Sequence, residues 1–470
     1  MAAISGYRVD ERVHDGGTSI VYRGTRVSDG TSAIIKALKV EYPPPRQVAE
    51  FRKEYAICCR LAEAKVEGVA RPVAFHGDGK DVAMVFEFLP GVTLESFLDG
   101  KRLSAGEALP LARRLASILG AIHREGIVHK DVKPSNIIID PETMDVCLID
   151  FGISSALDKE EAVSKRLEGS IAYMSPEQTG RMNRPVDYRT DFYSLGVTLY
   201  QMLCGQLPFA ATDPLEMVHA HIALEPTRPS VVNHAIPAFV SDVVMKLLAK
   251  TAEARYQSAS GVVADLEDLH RAIQQGALPE SFEPGKHDVP DRFQIPLKLY
   301  GRTSELARLL DAFGRAEGGS SEMLFVSGYS GIGKSALIHE IHKPIVKSRG
   351  YFISGKFDQF KRNIPYASML EAFRDLVSQL LTESEDAIAR WRRRITEALG
   401  PNGAVATSVL PELELIIGEQ APVPELSGEA AQNRLNRVFL EFIRLFAHAD
   451  HPLVLFLDDL QWADRPTLNL

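Results

Sequence analysis

IVHKDVKPSNIIID, residues 127–140, sets an aspartate, a lysine and an asparagine close together between two apolar runs. CLIDFG, residues 147–152, adds a second aspartate at the end of a third run. Phosphoryl transfer needs a carboxylate to receive the hydroxyl proton, a cation near the moving phosphate, and oxygen ligands for magnesium. Asp131, Lys133, Asn136 and Asp150 supply those groups in chain order.

Outward from that stretch, the composition describes an ordinary globular chain. It has 470 residues, 45% hydrophobic and 24% charged, which argues against disorder and suggests two or three compact units. No apolar stretch approaches the roughly 20 residues that cross a bilayer. No basic segment followed by an apolar one marks an export signal, so a cytoplasmic protein without a membrane span is expected. The four cysteines, Cys58, Cys59, Cys147 and Cys204, lack C-x-x-C spacing, which speaks against zinc and disulfides and fits a reducing compartment. A net charge of −9 gives no support for nucleic-acid binding, and Trp391-Arg392-Arg393-Arg394 reads as a solvated helix face.

Short β-type runs, Ile34-Ile35 and Val82 to Phe88, with one helical stretch near Phe51 to Leu61, fill residues 7 to about 100, and helical spacing dominates from about 104 to 272. Four prolines and little periodicity make 273–297 an interdomain linker. Beyond it, MLFVSG at 323–328 reads as a strand leading into a glycine-rich turn and a helix. SMLEAFRDLVSQLL places Met369, Phe373, Leu376 and Leu380 on one helical face, as core packing.

The residues from 7 to 272 closely resemble the protein-kinase family. The resemblance implies that Asp131 orients the substrate hydroxyl and takes its proton, that Lys133 neutralises the γ-phosphate, and that Asn136 and Asp150 hold Mg²⁺. Lys36 in SAIIKALK matches the lysine that grips the α- and β-phosphates. Glu54, eighteen residues on, is then its helix partner, with Glu50 as the fallback. MVFEFLPGVTL resembles the hinge, so the backbone of Glu87 and Leu89 would meet adenine, with Phe86 as gatekeeper. GSIAYMSPE, containing Ser170, resembles the substrate-docking end of the activation segment. Glu177 would pair with Arg255 of EARYQSA, and Asp191 of DFYSLG would brace the catalytic loop from a buried helix. Lys133 and Gly169-Ser170 look like a serine/threonine rather than a tyrosine kinase.

Three positions depart from the family pattern. VHDGGTSIVYRG, residues 13–24, keeps Gly16 and the adenine-covering Val21, but His14 and Ser19 replace the outer glycines, so Cβ atoms hold the loop further from the phosphates. Gly17 supplies some of the lost freedom. Lys130 stands where most kinases have arginine and cannot grip an activation-loop phosphate bidentately, which disfavours phosphate-gated activation. The activation segment offers Ser164 as its best acceptor, read as a solvated loop serine.

GYSGIGKSALI, residues 328–338, fits the P-loop pattern G-x-x-x-x-G-K-[ST]. Gly328, Gly331 and Gly333 let backbone N–H groups cradle phosphates, Lys334 would reach the β- and γ-phosphates, and Ser335 would ligate Mg²⁺. LVLFLDD, residues 453–459, supplies the complement: Asp458 for the magnesium shell and Asp459 to polarise an attacking water. This half resembles the signal-transducing AAA-like ATPases, including YGRTSELARLL at 300–310, which contains Arg302 and Glu305 and is a motif that in such proteins helps hold the nucleotide. The joint layout resembles the N-terminal part of large microbial hybrid kinase/ATPase/sensor histidine kinases.

The expected architecture is therefore multidomain. An α+β bilobal kinase fold occupies 1–272 (small lobe about 7–90, large lobe about 91–272), and the linker follows. A partial α/β P-loop domain at 298–470 ends after the Walker B strand. In the resembled ATPases later strands flank the P-loop strand, so residues 324–327 should lack sheet neighbours and the chain should be a fragment whose later sensor or signalling modules are missing. The expected function is an ATP- and Mg²⁺-dependent kinase acting on serine and threonine of proteins, joined to a nucleotide-dependent regulatory ATPase module. A pseudokinase ATP-binding scaffold with a P-loop switch is the alternative.

Overall fold

The computed structural model describes residues 4, 6–77, 82–156, 171–180, 185–211, 213–276, 281–290, 301–329, 332–341, 344–345, 348, 350–358, 365–381, 383, 385–424, 426–448 and 451–469. The N-terminal residues build an antiparallel sheet from β1 (Tyr7–Asp15), β2 (Ser19–Arg26), β3 (Ser32–Leu38), β4 (Pro72–His76) and β5 (Ala83–Glu87), ordered β1-β2-β3-β5-β4. Alternation in β3 decides its faces. Ala33, Ile35 and Ala37 are buried with Ile4, Ala83 and Val85, so Ile34 and Lys36 stand on the opposite face.

Helix α1 (Pro45–Glu63) starts on a proline at its first position, where no N–H is missed. Its buried residues Phe51, Glu54, Cys58 and Leu61 follow helical spacing. A carboxylate in that apolar stripe requires a cationic partner.

The large lobe is helical. After the short α2 (Leu94–Leu98), α3 (Ala105–Arg124) begins at a capping box between Ser104 and Glu107. Helix α4 (Arg189–Cys204) is buried at every residue except Gln201, so it forms the axis of this lobe. Around it lie α5 (Pro214–Ala223), α6 (Pro229–Val232), α7 (Ala238–Leu247) and α8 (Ala259–Gln275). Helix α7 meets α4 at Gly196, where an added Cβ would come within 2.7 Å of the Leu247 Cβ. Strands β6 (Val92–Thr93), β8 (Ile137–Ile139) and β9 (Val146–Leu148) form a small sheet, and β7 (Ile127–Val128) pairs with β10 (Ser155–Ala156). These short strands hold both motif-bearing loops against the helices.

Part of the stretch expected as linker is packed on this lobe. Residues 273–275 complete α8, and 281–290 return to its first turn. Phe282 packs edge-on against Phe239. Asp288 accepts from the Gln257 N–H at 2.5 Å and from the Ser258 hydroxyl at 2.7 Å. Ser258 is itself the N-cap of α8, accepting from the Gly261 N–H. Asp288 thus adds negative charge at a helix N-terminus.

The C-terminal unit is α/β. Parallel β11 (Tyr351–Lys356) and β12 (Leu453–Asp458) pair from Tyr351↔Leu453 to Lys356↔Asp458. Tyr351 and Ile353 pack with the helices at 367–380, 385–399 and 428–446, whose stripe Met369, Phe373, Leu376 and Leu380 is buried as its spacing requires. Phe352, on the other face, packs with α9 (Thr303–Glu317) and α10 (Lys334–His339). Helices on both faces are what a parallel sheet demands.

One expectation fails here. Residues 323–328 form no strand; Met323 and Phe325 are 80% and 77% exposed. Among the described residues no strand pairs with them. A strand gains its stability from a neighbour's ladder of hydrogen bonds and from burial, and apolar character alone supplies neither.

Replacement of Asp288 by alanine is expected to lower the stability of this helical lobe by about 1 kcal/mol, the usual worth of a helix cap. Thermal unfolding of the full chain reads it; an unchanged midpoint would show that the 281–290 segment contributes nothing to the lobe.

Candidate functional site

Asp191, in the first turn of α4, organises the loop between β7 and β8. Its Oδ2 accepts from the His129 N–H at 2.9 Å and Oδ1 from the Lys130 N–H at 2.7 Å, while the His123 ring lies 2.7 Å from Oδ2. Burial raises the Asp191 carboxyl, and the hydrogen bond and charge from His123 outweigh it, so the group stays below the usual carboxylate range. Sequence reading found Asp191 but missed His123, which lies 68 positions away in α3.

The His129 ring links the two motif loops. Its Nδ1 accepts from the Asp131 N–H at 3.2 Å, and Nε2 then donates to the Ile149 carbonyl at 3.2 Å. Burial holds His129 below its ordinary value, in keeping with that neutral tautomer.

Asp131 faces the groups expected beside it. Lys133 Nζ lies 2.7 Å from its Oδ2, and Asn136 Nδ2 donates to Oδ2 and to the Asp131 carbonyl, both at 2.9 Å. Ile149 N–H donates to the Asn136 carbonyl at 2.9 Å, which ties Asn136 to the residue before Asp150.

Lys36 joins the lobes. Its ammonium contacts Glu54 Oε1 and Oε2 at 2.7 and 3.0 Å and Asp150 Oδ1 at 2.9 Å. Burial alone would lower the lysine, and the charges of Glu54 and Asp150 reverse this, so its pKa is raised. Burial also raises Asp150, and the Lys36 charge outweighs it, leaving that carboxyl low. The fallback residue Glu50 is exposed and pairs with Arg46, so the fold brings Glu54 to Lys36.

Lys130 and Asp150 have φ of +70° and +67°, a region that non-glycine residues occupy only when their surroundings enforce it. Asn136 spends its amide hydrogens on Asp131, which leaves its amide oxygen as an acceptor. That oxygen and the Asp150 carboxylate make a hard donor pair suited to a divalent cation that also takes phosphate oxygens. Among the described residues no group of three or more His, Cys, Asp or Glu converges as a metal cage.

In the glycine loop, Gly16 N–H donates to the Ser19 carbonyl at 3.0 Å, and Val21 pairs with Lys36 across β2 and β3. A Cβ at Gly16 would lie 3.1 Å from that carbonyl, so a side chain there would force the turn to shift. Lys39 N–H donates to the Thr18 carbonyl at 3.0 Å, and Asp15 pairs with Arg12 and Lys39. The tip is thus tied to β3. At the hinge, Phe86 is buried opposite Ile34, Glu87 N–H donates to the Arg71 carbonyl at 2.9 Å, and Leu89 packs against the main core.

Glu177 and Arg255 form a buried bidentate pair at 2.6 and 2.8 Å. Thr190 donates to Glu177, while Arg255 also donates to the carbonyls of Ala249, Arg189 and Lys250. Burial raises Glu177, and Arg255 outweighs it, so the carboxyl lies below its ordinary 4.5. Ser164 and Ser170 lie outside the described residues.

In the C-terminal unit Gly333 takes φ +91° at the start of α10. Lys334 Nζ folds back to the carbonyls of Gly328 and Tyr329 at 3.0 and 3.1 Å. Ser335 Oγ lies 3.4 Å from Asp458 Oδ2, although the two are 123 positions apart. Asp459 is 3.5 Å from Lys356, a residue the sequence reading did not single out. Arg302 pairs with Glu305 at 2.9 Å. Gly331 lies outside the described residues.

Two domain families match the chain. The protein kinase domain family matches residues 7–265 and the AAA ATPase domain family residues 298–470. The chain is 32% identical to hybrid signal transduction histidine kinase G of Dictyostelium discoideum, over 77% of the chain and 13% of that protein. It is 30% identical to a probable serine/threonine-protein kinase of Clostridium acetobutylicum, over 56% of the chain and 40% of the relative. It is 33% identical to serine/threonine-protein kinase PknL of Mycobacterium tuberculosis, over 59% of the chain and 68% of the relative. The chain thus spans well under half the length of the first two. Among the described residues no helix is long and apolar enough to cross a membrane.

A depressed carboxylate contributes stability that is present above its unfolded pKa and lost as pH falls through its folded value. Glu177→Gln is therefore expected to lower stability at pH 7 by about 3 kcal/mol, the cost of leaving a buried arginine unpaired. It should also flatten the loss of stability below pH about 4.5. Denaturant titrations between pH 3 and 7 measure both; an acid limb as steep as in wild type would show that Glu177 carries none of it.

Proposed function

The chain belongs to the protein kinase family and carries an AAA ATPase domain behind its kinase domain, and we propose that it moves the γ-phosphate of ATP to serine and threonine hydroxyls of protein substrates in a signalling pathway. The observation that carries this reading is the closed Glu54–Lys36–Asp150 contact across the lobes, together with Asp131 held by Lys133 and Asn136.

Each residue then has a role. Asp131 orients the substrate hydroxyl and takes its proton as the oxygen attacks, and Lys133 neutralises charge on the phosphoryl group in flight. Lys36, fixed by Glu54, grips the α- and β-phosphates. Asn136 and Asp150 would hold Mg²⁺, which would supply positive charge to the phosphate oxygens. Gly16 and Val21 cover the nucleotide, and Glu87 and Leu89 offer backbone groups to adenine. Glu177, Arg255 and Asp191 hold the docking segment and the catalytic loop in register.

The second domain is proposed to bind nucleotide through the loop spanning Gly328, Gly331 and Gly333, with Lys334, Ser335 and Asp458 at the phosphates and Mg²⁺ and Asp459 at the attacking water. It would act as a nucleotide-dependent switch beside the kinase. The Dictyostelium relative is named a hybrid histidine kinase, so further sensor or signalling modules are proposed as partners in a cytoplasmic protein. The scaffold alternative draws on His14 and Ser19 in the glycine loop, which place side chains where close backbone approach is wanted.

Purified chain with Mg-ATP and a generic protein substrate is expected to transfer label at least about 100-fold faster than Asp131→Asn, the low end for loss of a general base. Equal rates would leave the scaffold reading standing and remove the enzyme. Calorimetry should find two nucleotides per wild-type chain, and one each for Lys36→Ala and Lys334→Ala. A single site in wild type would refute the two-site assignment.

A further inference from the structure

We propose that Gln178 is a positioning residue for phosphoryl transfer, because its carboxamide ties the peptide in front of Asp131 to the anchored segment that docks substrate. This rests on the kinase reading above and adds a residue that neither spacing nor motif singled out.

Gln178 sits in the short 3₁₀ turn Pro176–Thr179, capped by Ser175. Its Oε1 accepts from the Ser175 N–H at 3.0 Å, and its Nε2 donates to the Lys130 carbonyl at 2.8 Å. Both ends of the amide are used in one orientation. A flipped amide would set its NH₂ against an N–H and its oxygen against a carbonyl.

The carbonyl that Gln178 holds belongs to the peptide joining Lys130 to Asp131. The other end of that peptide, the Asp131 N–H, is held by the His129 ring at 3.2 Å. The preceding peptide is held by Asp191 through the Lys130 N–H at 2.7 Å. Between them Lys130 takes φ +70°, a left-handed conformation that a lysine keeps only under external constraint. Without the Gln178 donor, the Lys130 carbonyl loses the contact that opposes relaxation of this turn. Rotation of the peptide would swing the Asp131 carboxylate away from Lys133 and Asn136.

The other end of the tie does not move easily. Ser175 Oγ lies 2.5 Å from Thr190 Oγ1, Thr190 donates to Glu177, and Glu177 is locked to the buried Arg255. Gln178 therefore hangs from the buried α4 framework and reaches across to the catalytic loop. The tie is an uncharged amide on a carbonyl, so it holds the loop without a phosphate on the activation segment. That agrees with lysine at position 130, which lacks the bidentate phosphate grip of arginine.

Two variants separate positioning from folding. Gln178→Glu keeps an oxygen to accept from the Ser175 N–H but sets a second, ionised oxygen against the Lys130 carbonyl. Gln178→Ala loses both contacts. For Gln178→Glu, which keeps the contact to the Ser175 N–H, the expected result is a melting temperature between those of wild type and Gln178→Ala, an unchanged KM for Mg-ATP, and a kcat lower by about 10-fold to 100-fold, the scale for a small misplacement of a reacting group. Gln178→Ala should lose similar kcat and also melt earlier. A Gln178→Glu chain with wild-type kcat, or one whose kcat falls only together with its melting temperature and ATP affinity, overturns the positioning role. Wild type no faster than Asp131→Asn would instead overturn the kinase reading and this role with it.

Discussion

Asp191 is a carboxylate with no exposed surface, set in a helix buried on all sides. An unpaired charge in that position would cost several kcal/mol, so the fold must deliver donors to it. It does so with the backbone of His129 and Lys130 and the ring of His123. The consequence is positional: the loop that carries Asp131 has one place to sit on the large lobe. Asp131, Lys133 and Asn136 follow from that placement, since the His129 ring, the Lys130 carbonyl and the Asn136 amide are all held in turn.

Buried charge elsewhere in the kinase domain obeys the same constraint. Glu54 lies in the apolar stripe of α1 and is satisfied by Lys36; Glu177 lies in the turn Pro176–Thr179 and is satisfied by Arg255. Each pair spans elements distant in the chain, so each works as a register pin between them. A lost partner exposes the survivor to the full desolvation penalty, which makes these pins cooperative with the lobes they join. The C-terminal domain shows the opposite situation at 323–329, where apolar residues have no sheet partner among the described residues and remain exposed.

Much of the proposed site was legible because the phosphoryl transfer proposed for it constrains residue type strongly. Asp131, Lys133, Asn136 and Asp150 stand close in the chain, and Lys36 with Glu54 are separated by a strand-to-helix distance that spacing can suggest. His123, Gln178, Asp288 and Lys356 were not legible. Each makes a contact across 20 or more positions that spacing along the chain does not record; Gln178 and Lys130 are 48 apart. The strand expected at 323–328 failed for a related reason. β-character in a sequence reports fitness for a sheet surface, and the neighbouring strand must come from elsewhere.

The sequence by itself determined the chemistry and its order along the chain: which carboxylates, cations and amides exist, which helices carry an apolar face, and that two nucleotide-binding patterns lie in series. Those features are local, and spacing along the chain records them. Only the tertiary structure decided that Glu54 rather than Glu50 meets Lys36 and that Lys130 and Asp150 are held at positive φ. It alone brought Ser335 to Asp458 and packed part of the expected linker against the N-terminus of α8, where Asp288 holds the capping Ser258. These outcomes depend on partners that approach through space, and burial makes the absence of a partner costly enough to select one arrangement.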